Sequence, residues 1–161
     1  RKIGAPFNEE LAIGAVDPKG GKILNHKAIN MIRASAEYIE KEAKRKAEEA
    51  IARLKKYRGT DVYDVLKGKN AIIVDDGIAT GYTVMSAIKF LKELKPEKLI
   101  LGTPVIAPDT RIEMEKQIDE LVYVISREPF YAVGQFYKMF YQVSDAEVMN
   151  VLTKRTFPGS T

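Results

Sequence analysis

Cysteine is absent from this chain of 161 residues, and histidine occurs only once, as His26. Without cysteine there is no disulfide, no thiolate nucleophile and no cysteine-ligated metal, which is the pattern of a cytoplasmic protein. A single histidine excludes a histidine-rich metal centre, so we expect His26 at the surface or at a helix cap. No apolar run approaches the roughly 20 residues that cross a bilayer, so we expect no membrane segment.

A large excess of one charge is also missing, since the formal charge is +4 and the pI is about 9.1. Lysine and arginine are interleaved with glutamate, and three pairs stand in the stabilising i,i+4 arrangement: Glu40 with Lys44, Glu42 with Lys46 and Glu49 with Arg53. A nucleic-acid-binding protein would have a one-sided basic face, so nucleic acid is not an expected partner. Hydrophobic residues at 45% and charged residues at 30% are typical of a globular domain with a real core.

The first part of the chain predicts a β-hairpin followed by a helix. Residues 11–16 form an apolar run typical of a strand, and turn residues separate them from a return strand at residues 22–24. Apolar residues spaced by three or four then predict one helix from about residue 27 to residue 57. Its apolar stripe packs on the body of the domain, which is the favoured alternative, or on a second copy of the chain in a homodimer.

Strands and helices alternate from residue 70 to residue 125. Residues 71–74 are continuously apolar, which predicts a strand buried on both faces. A helix with its apolar face from Val84 to Leu94 follows, and then a strand at residues 99–106. A capping box from Thr110 to Glu113 opens the next helix, and residues 121–125 form a further strand. This alternation predicts an α/β fold with a parallel sheet, organised as a single domain over residues 1–161.

The C-terminal part is rich in aromatic residues, six of which lie within twelve positions: Phe130, Tyr131, Phe136, Tyr137, Phe140 and Tyr141. We interpret them as aromatic core, with stacking on a base as the alternative. Ser144 to Glu147 form a second capping box, which starts a last helix with its apolar residues facing inward: Val148, Val151 and Leu152. We expect residues 157–161 to be a frayed tail.

Two carboxylates, Asp75 and Asp76, stand directly after the predicted strand at residues 71–74. Ligands of open α/β sheets bind beyond the carboxyl ends of the strands. The loop at residues 77–81 then leads to a helix N-terminus, where free amides and the hydroxyls of Thr80 and Thr83 favour an anion. Acceptors for sugar hydroxyls therefore lie at one end and donors for a phosphate at the other, which predicts a phosphorylated sugar as ligand.

The segment 71–83 closely resembles the phosphoribosyl pyrophosphate signature of the type I phosphoribosyltransferases, and residues 66–69 before it also look like that family. The resemblance implies a parallel sheet flanked by helices. It implies that Asp75 and Asp76 are the catalytic pair that accepts hydrogen bonds from the ribose 2′- and 3′-hydroxyls. It also implies that the loop after them cradles the 5′-phosphate with Gly77, Ile78, Ala79, Thr80, Gly81, Tyr82 and Thr83.

Arg1 and Lys2 resemble the basic pair that precedes the mobile active-site loop of this family and meets the pyrophosphate. That loop would be residues 4–10 here, which is short for the family. The chain from Arg1 to about Val151 most resembles an uncharacterised prokaryotic branch. The strand and small pyrophosphate-binding loop at the front of the family fold have no counterpart after Arg1, so we expect the N-terminal part of the fold to be missing and the chain not to be a complete catalyst alone.

The resemblance implies a magnesium-dependent enzyme that transfers the phosphoribosyl group from phosphoribosyl pyrophosphate to a small-molecule acceptor, with a nucleobase as the favoured class. The alternative is a regulatory protein that binds phosphoribosyl pyrophosphate without turning it over. Family branches that use 6-oxopurines place a carboxylate where this chain has Ala79, so the sequence favours another acceptor.

Overall fold

The computed structural model describes residues 1–154, and its first part is an antiparallel sheet packed against two helices. The strands are β1 (Lys2–Ala5), β2 (Asn8–Val16) and β3 (Lys22–Leu24), in the order β1-β2-β3. Helices α1 (His26–Ile32) and α2 (Ala36–Arg58) follow. Their buried residues form one core with the hairpin: Ile3, Ala5, Ile13, Val16, Ala28, Ile39, Ala43 and Ala47.

The second part alternates strands and helices, as the sequence predicts. It contains β4 (Asn70–Val74), α3 (Tyr82–Glu93), β5 (Lys98–Val105), α4 (Pro108–Glu115) and β6 (Glu120–Ile125). The three strands form a parallel sheet in the order β4-β5-β6. Helix α3 packs on β4 and β5 and also contacts β2 and β3, so it joins the two sheets. The predicted α/β fold with a parallel sheet flanked by helices is confirmed.

The last two elements of the described chain are a short 3-10 helix, Val133–Phe136, and the α-helix α5 (Asp145–Lys154). The predicted capping box of α5 is present, because the Glu147 amide donates to Ser144 Oγ and the Ser144 amide to Glu147 Oε2. The predicted frayed tail at residues 157–161 lies outside the described residues. Within residues 1–154, no helix is long and apolar enough to span a membrane.

The prediction of one helix from residue 27 to residue 57 is wrong, because the chain breaks at Arg33. Arg33 takes a left-handed conformation with φ of 52°. Ser35 then caps a new helix, its Oγ accepting from the Tyr38 amide at 3.1 Å. The apolar period continues across the break, which is why periodicity alone predicted a single helix. The stripe of α2 is buried against the chain's own hairpin, which confirms the intramolecular alternative.

The segment 4–10 is not a loop. Residues 2–5 and 8–16 pair as the strands β1 and β2, so only Pro6 and Phe7 remain as a turn. Tyr38 Oη donates to the Gly4 carbonyl at 3.0 Å, and a Cβ on Gly4 would lie 2.7 Å from Glu9 Cα. The segment that the resemblance implied to be a loop is therefore mostly strand.

Three predictions of burial are also wrong. Strand β4 is covered on one face only, since Ile72 is 64% exposed and no element within residues 1–154 packs over it. None of the six aromatic residues between 130 and 141, all within the described part of the chain, is fully buried. The apolar face of α5 is not inward either, because Val151 is 59% exposed. In each case the apolar residues indicated a buried position, but no other element of the described chain covers them.

Candidate functional site

The acidic pair lies at the carboxyl end of β4, as predicted. The Asp75 amide still donates to the Gly102 carbonyl of β5 at 3.2 Å, so the residue continues the parallel ladder. Its side chain then turns back, and Oδ1 accepts from the Gly77 amide at 3.1 Å. This turn uses one carboxylate oxygen of Asp75 and leaves Oδ2 available, while Asp76 is exposed.

The loop after the acidic pair is held by the connection between β5 and α4. The Ile78 amide donates to the Val105 carbonyl, and the Ala107 amide donates to the Ile78 carbonyl, both at 2.9 Å. Thr110 Oγ1 donates to the Ala79 carbonyl. The capping box predicted at Thr110 is therefore wrong: α4 begins earlier, at Pro108, and the threonine tethers the loop instead.

Two glycines let this loop approach its neighbours. Gly81 is left-handed with φ of 74°, and a Cβ there would lie 2.5 Å from Met114 Cε. A Cβ on Gly77 would lie 2.2 Å from Val133 Cγ1 and 2.8 Å from Val105 Cγ2. A Cβ at Gly77 would clash with two valine side chains, and the left-handed φ of Gly81 strains any other residue, which accounts for the two glycines in the motif.

The amides of residues 79–83 converge on the N-terminus of α3. Within residues 1–154, no backbone or side-chain acceptor is bonded to any of these five amides. They line a cavity of about 260 Å³ together with Asp75 and Val133. Unpaired amides at a helix N-terminus carry partial positive charge and favour an anion, so the cavity has donors for a phosphate.

The environment of Asp75 disfavours its charged form. Burial raises the pKa of its carboxyl, the neighbouring Asp76 raises it further, and the hydrogen bond from the Gly77 amide opposes both. Ionising Asp75 beside the Asp76 carboxylate therefore costs free energy when no ligand is bound. Carboxyls with a shifted pKa are enriched in binding and catalytic sites, so this pair is a candidate for such a role.

Arg1 and Lys2 lie at a second cavity, of about 450 Å³, which Thr83 and Lys46 also line. Thr83 belongs to both cavities, so the structure brings the basic pair next to the end of the motif. Asp75 lines the first cavity, and neither acid of the pair lines the second. The predicted residues thus form two groups that meet at Thr83.

The basic side chains at the second cavity already have carboxylate partners. Arg1 pairs with Glu49 at 3.0 Å, and Lys2 pairs with Glu10 at 3.0 Å. Lys46, which sequence reasoning treated only as a helical ion-pair partner, lies 3.3 Å from Glu49 with its side chain 13% exposed. An anionic ligand in this cavity would compete with these acids for the same cations.

Tyr137 is a second neighbour of the site that sequence reasoning did not assign. Its hydroxyl donates to the Asp76 carbonyl at 2.5 Å, and Val133 of the same segment covers Gly77. The density of aromatic residues was the available signal, but it indicated a core. Within the described residues no group of three or more histidine, cysteine or acidic side chains is arranged to hold a metal.

The sequence model of the phosphoribosyl transferase domain matches residues 19–138. A Mycobacterium tuberculosis (strain H37Rv) protein named "Putative phosphoribosyl transferase Rv0571c" is 33% identical over 154 residues, which are 96% of this chain and 35% of that protein. The "Ribose-phosphate pyrophosphokinase" of Pyrococcus furiosus is 32% identical over 124 residues, which are 75% of this chain and 42% of that protein.

A solved structure is also similar. The crystal structure of TT1426 from Thermus thermophilus matches with a TM-score of 0.68 at 32% identity, covering 96% of this chain and 73% of that one. The chain spans less than half the length of the Mycobacterium tuberculosis and Pyrococcus furiosus relatives, at 35% and 42%.

Proposed function

Because the chain belongs to the phosphoribosyl transferase domain family, we propose that it binds 5-phosphoribosyl 1-pyrophosphate and transfers the phosphoribosyl group to a small-molecule acceptor. One observation carries the proposal: two carboxylates at the end of β4 stand beside five amides at the start of α3 that have no acceptor within residues 1–154. The name of the Pyrococcus furiosus relative contains ribose phosphate, which supports a phosphorylated sugar as ligand.

The two ends of the site take different parts of this ligand. The amides of residues 79–83 bind the 5′-phosphate, with the hydroxyls of Thr80 and Thr83 as further donors. Asp75 Oδ2 and the Asp76 carboxylate accept from the ribose 2′- and 3′-hydroxyls, as charge-assisted hydrogen bonds. Arg1 and Lys2 then meet the pyrophosphate from the neighbouring cavity.

In the reaction, the bond from ribose C1 to the pyrophosphate oxygen breaks and a bond from C1 to an acceptor nitrogen forms. Pyrophosphate leaves with the electron pair of the broken bond, and the acceptor nitrogen releases its proton to water. Positive charge develops at C1 and the ring oxygen, near the carboxylates of Asp75 and Asp76. The chain supplies orientation and fixed electrostatics rather than a covalent intermediate.

A magnesium ion fits this site when the substrate supplies most of its ligands. Mg²⁺ is commonly held by substrate phosphates with few protein carboxylates, and within the described residues no three acidic side chains gather to hold a metal by themselves. The pyrophosphate and ribose hydroxyls would hold the ion, with Asp75 and Asp76 acting through those hydroxyls. Bound there, it neutralises charge on the leaving pyrophosphate.

A non-catalytic binding protein is the second candidate, favoured by the ion pairs of Arg1 with Glu49 and Lys2 with Glu10. Cations that stay paired do not stabilise a leaving pyrophosphate. Pyrophosphate release, measured with phosphoribosyl pyrophosphate, Mg²⁺ and a panel of nucleobases, tests both candidates. Turnover with any acceptor supports the transferase, binding without turnover supports the regulator, and neither binding nor turnover would refute both.

We predict that inorganic phosphate binds at the amides of residues 79–83. Thr83→Val keeps the side-chain volume and removes one hydroxyl donor, so phosphate affinity should fall about tenfold, the typical contribution of a hydrogen bond to a charged group. Titration calorimetry measures the affinity. Thr153→Val, the same change in α5, is the control and should leave it unchanged. Equal phosphate affinities of the Thr83→Val protein and the parent would remove Thr83 from the site.

We also predict that, as the pH is lowered, affinity for phosphoribosyl pyrophosphate begins to fall at a higher pH than it would with an aspartate of ordinary pKa. The ionised carboxylate accepts the hydroxyl hydrogen bonds, and the pKa of Asp75 is raised above its usual 3.8. Acceptor capacity is therefore full above the raised pKa and is lost as the pH falls through it. Titrations at several pH values should show this step in the parent protein and not in Asp75→Asn. An identical profile in both proteins would contradict the assignment.

A further inference from the structure

The turn that carries the two carboxylates is packed against a segment of chain that lies far from it in sequence. Tyr137 Oη donates to the Asp76 carbonyl at 2.5 Å, across a separation of 61 residues. Val133 lies directly over Gly77, where a Cβ would come within 2.2 Å of its Cγ1. Neither side chain has a role in the reaction described above, yet both contact the backbone on which that reaction depends.

The segment at residues 129–140, which contains Val133 and Tyr137, is held by its own hydrogen bonds and ring contacts. Gln135 Oε1 accepts from the amides of residues 131–132 at 2.7 and 3.2 Å, and its Nε2 donates to the Pro129 carbonyl at 2.7 Å. The ring of Phe140 packs on that of Tyr137, with centroids 5.1 Å apart. The Tyr137 ring therefore packs beside the turn against Phe140, and the hydrogen bonds of Gln135 hold the chain just before it.

We propose that Tyr137 is a positioning residue of the phosphoribosyl site, whose hydroxyl fixes the Asp76 peptide and so aims the carboxylates of Asp75 and Asp76. The inference rests on the proposed function for the identity of the ligand. Gly77 has the freest backbone of the turn, because it has no Cβ. The hydrogen bond to the Asp76 carbonyl restrains the peptide between Asp76 and Gly77. Less conformational entropy is therefore lost when the sugar binds.

The neighbouring acids favour the protonated phenol, which is the form that donates this hydrogen bond. Burial, the Asp76 carboxylate and the Asp75 carboxylate, in that order, raise the pKa of the Tyr137 phenol. The hydroxyl therefore remains a donor at neutral and mildly alkaline pH.

Tyr137→Phe tests the proposal, because it removes the hydroxyl and keeps the ring. The dissociation constant for phosphoribosyl pyrophosphate with Mg²⁺ should rise about 3- to 10-fold, as expected for one hydrogen bond. The constant for inorganic phosphate should not change, because phosphate uses the amides of residues 79–83. Hydrogen–deuterium exchange of the Gly77 amide should become faster. Tyr141→Phe is the matched control, since Tyr141 is 69% exposed and makes no hydrogen bond within residues 1–154.

Two results would overturn the proposal. One is a Tyr137→Phe protein with the parent's affinity for phosphoribosyl pyrophosphate and the parent's exchange at Gly77. The other is an equal loss of affinity for both ligands with a lower melting temperature, which would indicate a general packing role. Failure of the proposed function would look different: the parent protein would bind phosphate and not phosphoribosyl pyrophosphate. In that case, hydrogen–deuterium exchange of the Gly77 amide in the Tyr137→Phe protein and the parent would show by itself whether Tyr137 fixes the turn.

Discussion

Replacing both acids, Asp75→Asn with Asp76→Asn, should weaken binding of phosphoribosyl pyrophosphate by about 100-fold while leaving stability largely intact. Each carboxylate accepts a hydroxyl hydrogen bond that an amide oxygen accepts only weakly, and two such losses together reach about this factor. Titration calorimetry gives the affinity, and thermal melting of the same samples gives the stability. An unchanged affinity would remove the sugar role from both residues.

The direction of the pKa shift explains why stability should not fall. A carboxyl whose pKa is higher in the folded than in the unfolded state favours folding when protonated, and that contribution is lost as the pH rises through the raised pKa. At neutral pH the ionised Asp75 therefore opposes folding, and asparagine removes the charge. Asparagine Oδ1 still accepts from the Gly77 amide, which Asp75 Oδ1 does at 3.1 Å.

A carboxylate outside the site provides the matched control. Asp119 Oδ2 accepts from the Leu99 amide at 2.7 Å at the start of β5, far along the chain from the motif. Asp119→Asn should leave affinity for phosphoribosyl pyrophosphate unchanged and lower the melting temperature slightly. If Asp119→Asn weakens binding as much as the double change does, the effect at Asp75 and Asp76 is one of net charge rather than of contact.

The sequence predicted the local elements that carry the candidate site: a strand, an acidic turn and the start of a helix. Strand β4, Asp75, the glycines and the start of α3 follow one another within residues 70–83, so residue pattern and turn chemistry were sufficient. Thr110 and Tyr137 were not assigned, because they bond to backbone carbonyls 31 and 61 residues away. The residues around Thr110 indicated a helix cap, and those around Tyr137 indicated an aromatic core. Only the folded structure shows that both side chains contact the loop.

The errors in the fold have a similar cause. Apolar residues predict burial only when another element covers them, and the outer face of β4 has no such cover within residues 1–154. The helix break at Arg33 was missed because apolar spacing continued through it, although Ser35 is a good N-cap residue. Periodicity reports which face is apolar, and the cap residues report where a helix begins.

Hypoxanthine and guanine should be poor acceptors of the phosphoribosyl group. In the family branches that use 6-oxopurines, a carboxylate at the position of Ala79 can stabilise or remove the proton on the base nitrogen as the bond to C1 forms. General acid–base assistance of this kind contributes about 10²–10⁴ in rate and needs a group within hydrogen-bond reach. Ala79 has no such group, its carbonyl is bonded to Thr110, and the nearby carboxylates of Asp75 and Asp76 are assigned to the sugar.

The measurement is kcat/KM for adenine, hypoxanthine, guanine, uracil and orotate at one Mg²⁺ concentration, repeated with Ala79→Asp. Adenine or a pyrimidine should exceed the 6-oxopurines by about 10²-fold or more, and Ala79→Asp should raise the 6-oxopurine rates selectively. Ala79→Asn is the control, because it adds nearly the same volume without a base and should give no gain. Efficient hypoxanthine or guanine turnover by the unchanged protein would mean that another residue manages the proton, and the argument from Ala79 would fail.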